Sequence, residues 1–247
     1  MDSGYYAACT ALVSRTAELD TIANNLANAS TVGFRAQENI FSTVLANAAN
    51  PSSSALDQAI NQYGLMSGTT LDLSQGTLQK TGNTLDAAIE GHGYFEIQTA
   101  NGTAYTRNGG FQISATGQLV TSTGDQVMGD NNSPIVMPSG GKVSISADGT
   151  ISMDGAVSGK LKIVEFPHGT QLTSLGSSYY SAPPNTAQPA TQSNVRQGFL
   201  ENSNVNAVAG MVELVNAQQT AEMMQRALSM FNSEMDKTAT QDLPKAG

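Results

Sequence analysis

Charge is scarce in this chain of 247 residues: Asp, Glu, Lys and Arg together make up 13%, and histidine occurs twice. Aromatic residues amount to 6% and tryptophan is absent. A catalytic protein of this length usually carries more of the groups that move protons. The net charge is −9, and the 11 Lys and Arg residues are scattered. No basic patch is therefore available to displace counterions from a nucleic-acid backbone or to meet an anionic membrane. Lys160 and Lys162 are read as isolated residues on one strand.

A single cysteine, Cys9, excludes an intrachain disulfide and a cysteine metal cluster. It is read as a small buried residue on a helix. No apolar run approaches the roughly 20 residues of a membrane-spanning helix. The opening Met1-Asp2-Ser3-Gly4-Tyr5-Tyr6 has no basic segment leading into an apolar one. Export, where it occurs, is therefore expected to proceed without a cleaved signal peptide.

Constellations that carry chemistry are equally sparse. His92 and His168 each sit beside glycine near a strand end, with no Cys or His at zinc-ligand spacing. Gly91-His92-Gly93 lacks the third glycine and following helix of a dinucleotide site. Asp148-Gly149 and Asp154-Gly155 read as turns, not as a calcium loop. Glu90, Glu96 and Glu165 would serve a glycosidase only if folding brought two of them across a cleft. No Gly-x-Ser-x-Gly elbow occurs. The expectation is no catalytic residue, no cofactor and no metal.

What the chain does hold is periodicity. From Ala207 onward, Gly210, Leu214, Ala217, Ala221, Met224, Leu228, Phe231 and Met235 recur every third and then fourth residue. That is the 3.5-residue repeat of a helix lying along another helix. Glu213, Asn216, Gln218, Gln219, Glu222, Gln225, Arg226 and Asn232 fall between them, leaving a wet opposite face. At the other terminus Tyr5, Leu12, Leu19 and Leu26 stand seven apart, with Ala8, Ile22 and Ala29 alternating and Arg15 breaking the pattern. Two amphipathic helices thus bracket a middle of different character. Each is marginal alone in water, so their seams are expected to be covered by further copies.

The first helix is expected from about Ser3 to Asn28, ended by dense Asn and Ser, with Gly33 free to adopt positive φ. After Arg35, Ile40, Phe41, Val44, Leu45 and Ala48 suggest a second helical patch ending at Pro51. From there to about Gly82, scattered leucines suggest a connector that docks. Between Thr84 and Phe166 the period changes to two: Phe95/Ile97, Phe111/Ile113, Val143/Ile145, Ile151/Met153 and Leu161/Ile163 alternate with polar residues. Asn101-Gly102, Gly124-Asp125 and Asp154-Gly155 punctuate them, as in an antiparallel domain of short strands.

Ile22-Ala23-Asn24-Asn25-Leu26-Ala27-Asn28 followed by Thr31-Val32-Gly33-Phe34 resembles the N-terminal signature of bacterial flagellar basal-body rod and hook proteins. Asn24, Asn25, Leu26, Asn28, Gly33 and Phe34 carry that signature. The run from Thr81 to Phe95, then Tyr105-Thr106-Arg107-Asn108-Gly109-Gly110-Phe111, resembles the family's entry into its β domain. Gln197-Gly198-Phe199-Leu200-Glu201-Asn202-Ser203-Asn204-Val205-Asn206 resembles its lead-in to the last helix. Within the family, residues 130–138 and 145–151 are closer to the proximal-rod branch than to the distal-rod branch. Many relatives carry an Arg and an aromatic residue before a Glu in the last helix; here that stretch is Gln218-Gln219-Thr220-Ala221-Glu222.

The resulting expectation is an α+β chain. A terminal-helix domain comprises 1–35 and 197–247, a connector spans 36–82, and a central β domain spans 83–196. The resemblance implies a non-enzymatic subunit of the periplasmic rod, assembling with copies of itself and other rod and hook subunits after passage through the flagellar export apparatus. The helix seams that would carry assembly are Tyr5, Leu12, Leu19, Ile22, Leu26, Leu214, Ala217, Ala221, Met224, Leu228, Phe231 and Met235. The competing class is a secreted β-rich adhesin with a helical stalk. A wall-cutting hydrolase is more distant.

Overall fold

The computed structural model describes residues 2–42, 65–138 and 140–241. The described residues form an α+β chain: helix α1 (Asp2–Ala27) at one end, helix α2 (Ala207–Gln241) at the other, and short antiparallel strands between. The first strands are β1 (Gln37–Ser42), β2 (Leu65–Leu71), β3 (Leu78–Lys80), β4 (Ala87–Glu90), β5 (Tyr94–Thr99) and β6 (Gly102–Thr106). Then come β7 (Gln112–Ile113), β8 (Leu119–Val120), β9 (Gln126–Val127), β10 (Val143–Ile145), β11 (Thr150–Met153) and β12 (Ala156–Lys160). The last are β13 (Ile163–Glu165), β14 (Thr173–Gly176), β15 (Tyr179–Ser181), β16 (Gln188–Pro189), β17 (Asn194–Gln197) and β18 (Phe199–Glu201). The chain divides into two compact units, one of Met1–Leu26, Gln37–Thr69 and Ala207–Gly247, the other of Ala27–Ala36 and Thr70–Asn206.

In the helical unit, α2 buries Ala217, Ala221 and Leu228 and half-buries Ala207, Gly210, Leu214 and Met224. These are the heptad positions, and no proline interrupts the 35-residue helix. Among the residues of α1 whose burial is described, Ala11, Ser14 and Thr21 are the most buried, while Leu12, Leu19, Ile22 and Leu26 are half-buried. Small residues thus occupy the centre of that face and the larger apolar ones flank it, an arrangement that lets backbones approach. At Gly210 an added Cβ would stand 4.0 Å from Leu26 Cδ1. The side chains of Tyr5, Phe231 and Met235 lie outside the described residues.

The segment after Arg35 is not helical where it is described. Gln37–Ser42 is strand β1, paired with β2, and Ile40 is exposed. The cause is a side-chain clamp: Asn25 Oδ1 accepts from the Gln37 backbone N–H at 2.8 Å, while Asn25 Nδ2 donates to the Gln37 carbonyl at 2.8 Å. Thr21 Oγ1 adds a bond to Asn39 Oδ1 at 2.9 Å. These bonds satisfy the backbone in an extended form and override the helical spacing. Val44, Leu45, Ala48 and Pro51 lie outside the described residues.

The β unit is built on a nine-stranded sheet with the order β14-β15-β6-β5-β9-β8-β7; β13 joins β5, and β16 joins β13. A three-stranded sheet, β10-β11-β12, and the pairs β17-β4 and β18-β3 complete it. Alternating residues fill one core that includes Ile89, Phe95, Ile97, Phe111, Leu119, Val127, Ile151 and Leu161. The turn between β11 and β12 places Asp154 at φ 48° and Gly155 at φ 87°, the two left-handed residues a tight hairpin needs. Ile113, expected inside, is 41% exposed on the edge strand β7. Lys160 ends β12 and Lys162 lies beyond it, where it pairs with Glu96 at 2.8 Å, so the two lysines do not share a strand. Leu71 and Leu73 pack on a second cluster with Tyr94, Val164, Leu172 and Tyr180.

Candidate functional site

The segment leaving α1 and the segment entering α2 are tied together inside the β unit. The chain turns after α1 through Thr31 N–H to Asn28 O at 3.0 Å, and Gly33 then takes φ +69°. A Cβ at Gly33 would lie 2.4 Å from Asn108 N, so the close approach and the left-handed backbone both demand glycine. Phe34 is buried beside it. Gly33 N–H donates to the Glu201 carbonyl at 2.8 Å, and Ser178 Oγ donates to Val32 O at 2.9 Å.

Around this turn two guanidinium groups share one carboxylate. Arg35 Nη2 meets Glu201 Oε1 at 2.6 Å, and Arg107 Nη1 meets Oε2 at 3.1 Å. The side chains are 0–1% exposed. Gly76 N–H donates to Glu201 Oε1 at 2.8 Å, and Arg107 Nη2 donates to Gly91 O at 2.7 Å. The Arg107 guanidinium also lies 4.7 Å from the centre of the Tyr94 ring, a cation–π contact. Tyr180 OH accepts from Arg35 N–H at 2.8 Å and donates to Gly33 O at 3.1 Å. Asn204 extends the tie: its Oδ1 accepts from Ala36 N–H at 2.8 Å and its Nδ2 donates to Asp72 O at 3.0 Å.

The electrostatics are uneven. Burial opposes the charge on both guanidiniums, but beside Glu201 that cost is outweighed at Arg35, which is held above its ordinary value. At Arg107 burial prevails and the value falls, helped by repulsion from Arg35. The difference follows the geometry, since Arg35 has the shorter contact with the shared carboxylate. Burial also pushes the Tyr180 phenol upward, which keeps it a donor. Such a cluster is worth less as gross stability than as a rule about geometry, because an ill-fitting alternative leaves a charge stranded in the interior.

Of the six signature residues, Asn25 clamps Gln37, Asn28 accepts at the helix end, and Gly33 and Phe34 form the turn. Leu26 is half-buried beside Gly210 and Asn24 is exposed. The three conceivable hydrolytic carboxylates have separate structural partners: Glu90 with Arg196, Glu96 with Lys162, and Glu165 with Ser193. Among the described residues no group of three or more His, Cys, Asp or Glu could hold a metal ion, and no helix is long and apolar enough to cross a membrane. The ionic tie itself was not legible beforehand. Its only trace is that Arg35, Arg107 and Glu201 are charged residues within Gly-Phe, Gly-Gly-Phe and Phe-Leu stretches of a charge-poor chain.

Each member of the tie falls in a different segment that matches a family model. Residues 6–35 match the flagella basal body rod protein model, and 88–153 match the flagellar hook protein FlgE/F/G D1 domain. Residues 196–242 match the flagellar basal body rod FlgEFG protein C-terminal model. The chain is 31% identical over 247 residues to the flagellar basal-body rod protein FlgF of Caulobacter vibrioides, covering 99% of each. The chain belongs to the flagellar basal-body rod protein family. It is also 34% identical to FlgF of Escherichia coli, covering 93% of this chain and 94% of that protein. To FlgG of Bacillus subtilis it is 36% identical, covering 87% and 89%. The family is structural and not an enzyme family, and the chain is accordingly a structural subunit of the basal-body rod. Arg35 closes the first matched segment, Arg107 lies within the second and Glu201 within the third. The tie thus joins all three parts of the family pattern.

Proposed function

We propose that this chain is a FlgF-type proximal-rod subunit, whose two terminal helices pack along each other and along those of neighbouring subunits to form a helical tube. The β unit packs outside that tube. Heterologous contacts between identical surfaces that do not close would propagate the assembly. In this role the protein transmits torque across the periplasm and leaves a conduit for export. Its partners are copies of itself, other rod and hook subunits, and the export apparatus that carries it out.

The observation that carries this reading is the second apolar face of α2. Val208, Met211, Val212, Val215, Met223 and Met230 are each at least half exposed, although the same helix buries its heptad residues. Val208, Met211, Val212 and Val215 form an exposed apolar stretch where the sequence pattern predicted a wet face, and Gln219, Glu222 and Arg226 separate it from Met223 and Met230. Exposed apolar surface of this kind marks an interaction site. Its hydrophobic burial would repay the entropy of ordering a long terminal helix. Deletion of residues 205–247 tests the proposal in cells lacking the native subunit. A rod subunit loses incorporation and motility, whereas retention of both would exclude α2 as the joining element.

A further inference from the structure

The two histidines of the chain, far apart in sequence, meet on the surface of the β unit. Their ring centroids are 6.4 Å apart with planes at 65°, and both side chains are exposed. The pairing follows from the strands. β5 and β13 run antiparallel with Tyr94 opposite Val164, so the residues just before Tyr94 and just after Val164 emerge at the same end. Tyr94 and Phe166 hold that end together through a ring contact at 5.6 Å.

The backbone under His92 is fixed. Ser193 Oγ donates to Glu165 Oε1 at 2.6 Å and accepts from Gly93 N–H at 2.9 Å. A Cβ at Gly91 would lie 2.9 Å from Ser193 Oγ, and one at Gly93 would lie 2.6 Å from Ile163 Cγ2. Close packing on both sides leaves the imidazole as the one side chain that this tripeptide presents to solvent. A turn carries His168: Thr170 N–H donates to Pro167 O at 3.1 Å.

We propose that His92 and His168 form a two-histidine surface site for a late divalent transition-metal ion, with Cu2+ preferred over Zn2+ and water completing the coordination. Imidazole suits these ions, and Cu2+ stands above Zn2+ for a given nitrogen site. With metal–nitrogen bonds of about 2.0–2.1 Å, chelation brings two ring centroids to about 5 Å in a tetrahedral site and to about 4.5 Å at adjacent corners of the square-planar site that Cu2+ adopts. The pair is thus about 1–2 Å from chelating distance, a gap that rotation of exposed side chains covers. Net charge −9 raises the local concentration of cations. The bound ion would staple the loop before β5 to the loop after β13.

The test is calorimetric titration of the full chain with Cu2+ and Zn2+, in a Cys9→Ser background that removes the thiol. One equivalent should bind, with affinity reduced about tenfold or more by His92→Ala or by His168→Ala. The thermal midpoint should rise with metal in the parent chain and not in either variant. No binding, or wild-type affinity in either single variant, would overturn the proposal.

Discussion

Arg35 and Glu201 are separated by 166 positions in the chain and by 2.6 Å in space, both fully buried. One stands just beyond the first helix and the other just before the last, so this contact fixes the spacing between two chain segments that the sequence places at opposite ends. Arg107 approaches the same carboxylate from the end of β6. The buried pair therefore matters chiefly as a constraint on how the two connecting segments run within the β unit.

Glu201→Gln tests that constraint. The change leaves two buried guanidiniums without a counter-charge, and removing one partner from such a group costs about 3–5 kcal/mol. Chemical denaturation of the full chain should register a loss of that size. Arg196→Ala breaks an ion pair whose side chains are 49% and 47% exposed, and it should cost no more than about 1 kcal/mol.

Gly33→Ala and Gly82→Ala separate two penalties. Both glycines have positive φ, +69° and +77°, but nothing stands within 4 Å of a Cβ at Gly82. Gly82→Ala should cost about 1–2 kcal/mol from the left-handed backbone alone. Gly33→Ala adds a collision with the backbone of Arg107 and Asn108, so its denaturation midpoint should fall further.

Much of this organisation was visible in the residues themselves. The heptad spacing of Ala217, Ala221 and Leu228 is the pattern of a helix burying one face, and Asp154-Gly155 is the dipeptide of a tight hairpin. Both depend on neighbours close in sequence. The failures involve distant partners. Ile40 and Phe41 have helical spacing with the residues that follow, yet the Asn25 amide holds Gln37 extended from 12 positions away. Ile113 alternates correctly with Phe111 but occupies a sheet edge. No local pattern announces that Arg35, Arg107 and Glu201 converge, nor that His92 meets His168.

Alkaline pH should weaken the β unit through its tyrosines. Burial raises the Tyr180 phenol above its ordinary 10.0, and Tyr179 and Tyr105 shift the same way for the same leading reason. Below pH 10 both folded and unfolded chains keep these protons, so the contribution to stability is fully present. Above it the unfolded chain ionises first and stability falls, by up to about 1.4 kcal/mol per pH unit for the buried Tyr180 and by less for the more solvent-screened Tyr179 and Tyr105. Denaturation midpoints measured between pH 9 and pH 11 should decline, and Tyr180→Phe should flatten the decline while lowering stability at neutral pH.

The two faces of α2 should respond differently to substitution. Leu228 is buried, and Leu228→Ala should destabilise the isolated chain by about 2–5 kcal/mol. Met223 and Met230 are 61% and 62% exposed, so Met223→Lys with Met230→Lys should leave monomer stability within about 0.5 kcal/mol. The same double variant should lose swimming in a motility assay, because charges would then occupy the face proposed to meet neighbouring subunits.

The most direct measurement is a reconstruction of the purified basal body at a resolution that traces this chain. Rod density with α1 and α2 lining the inner tube, the exposed face of α2 against adjacent subunits and the β unit outside is the predicted result. Finding the chain outside the rod, or within it with α2 free of contacts to its neighbours, would contradict the account.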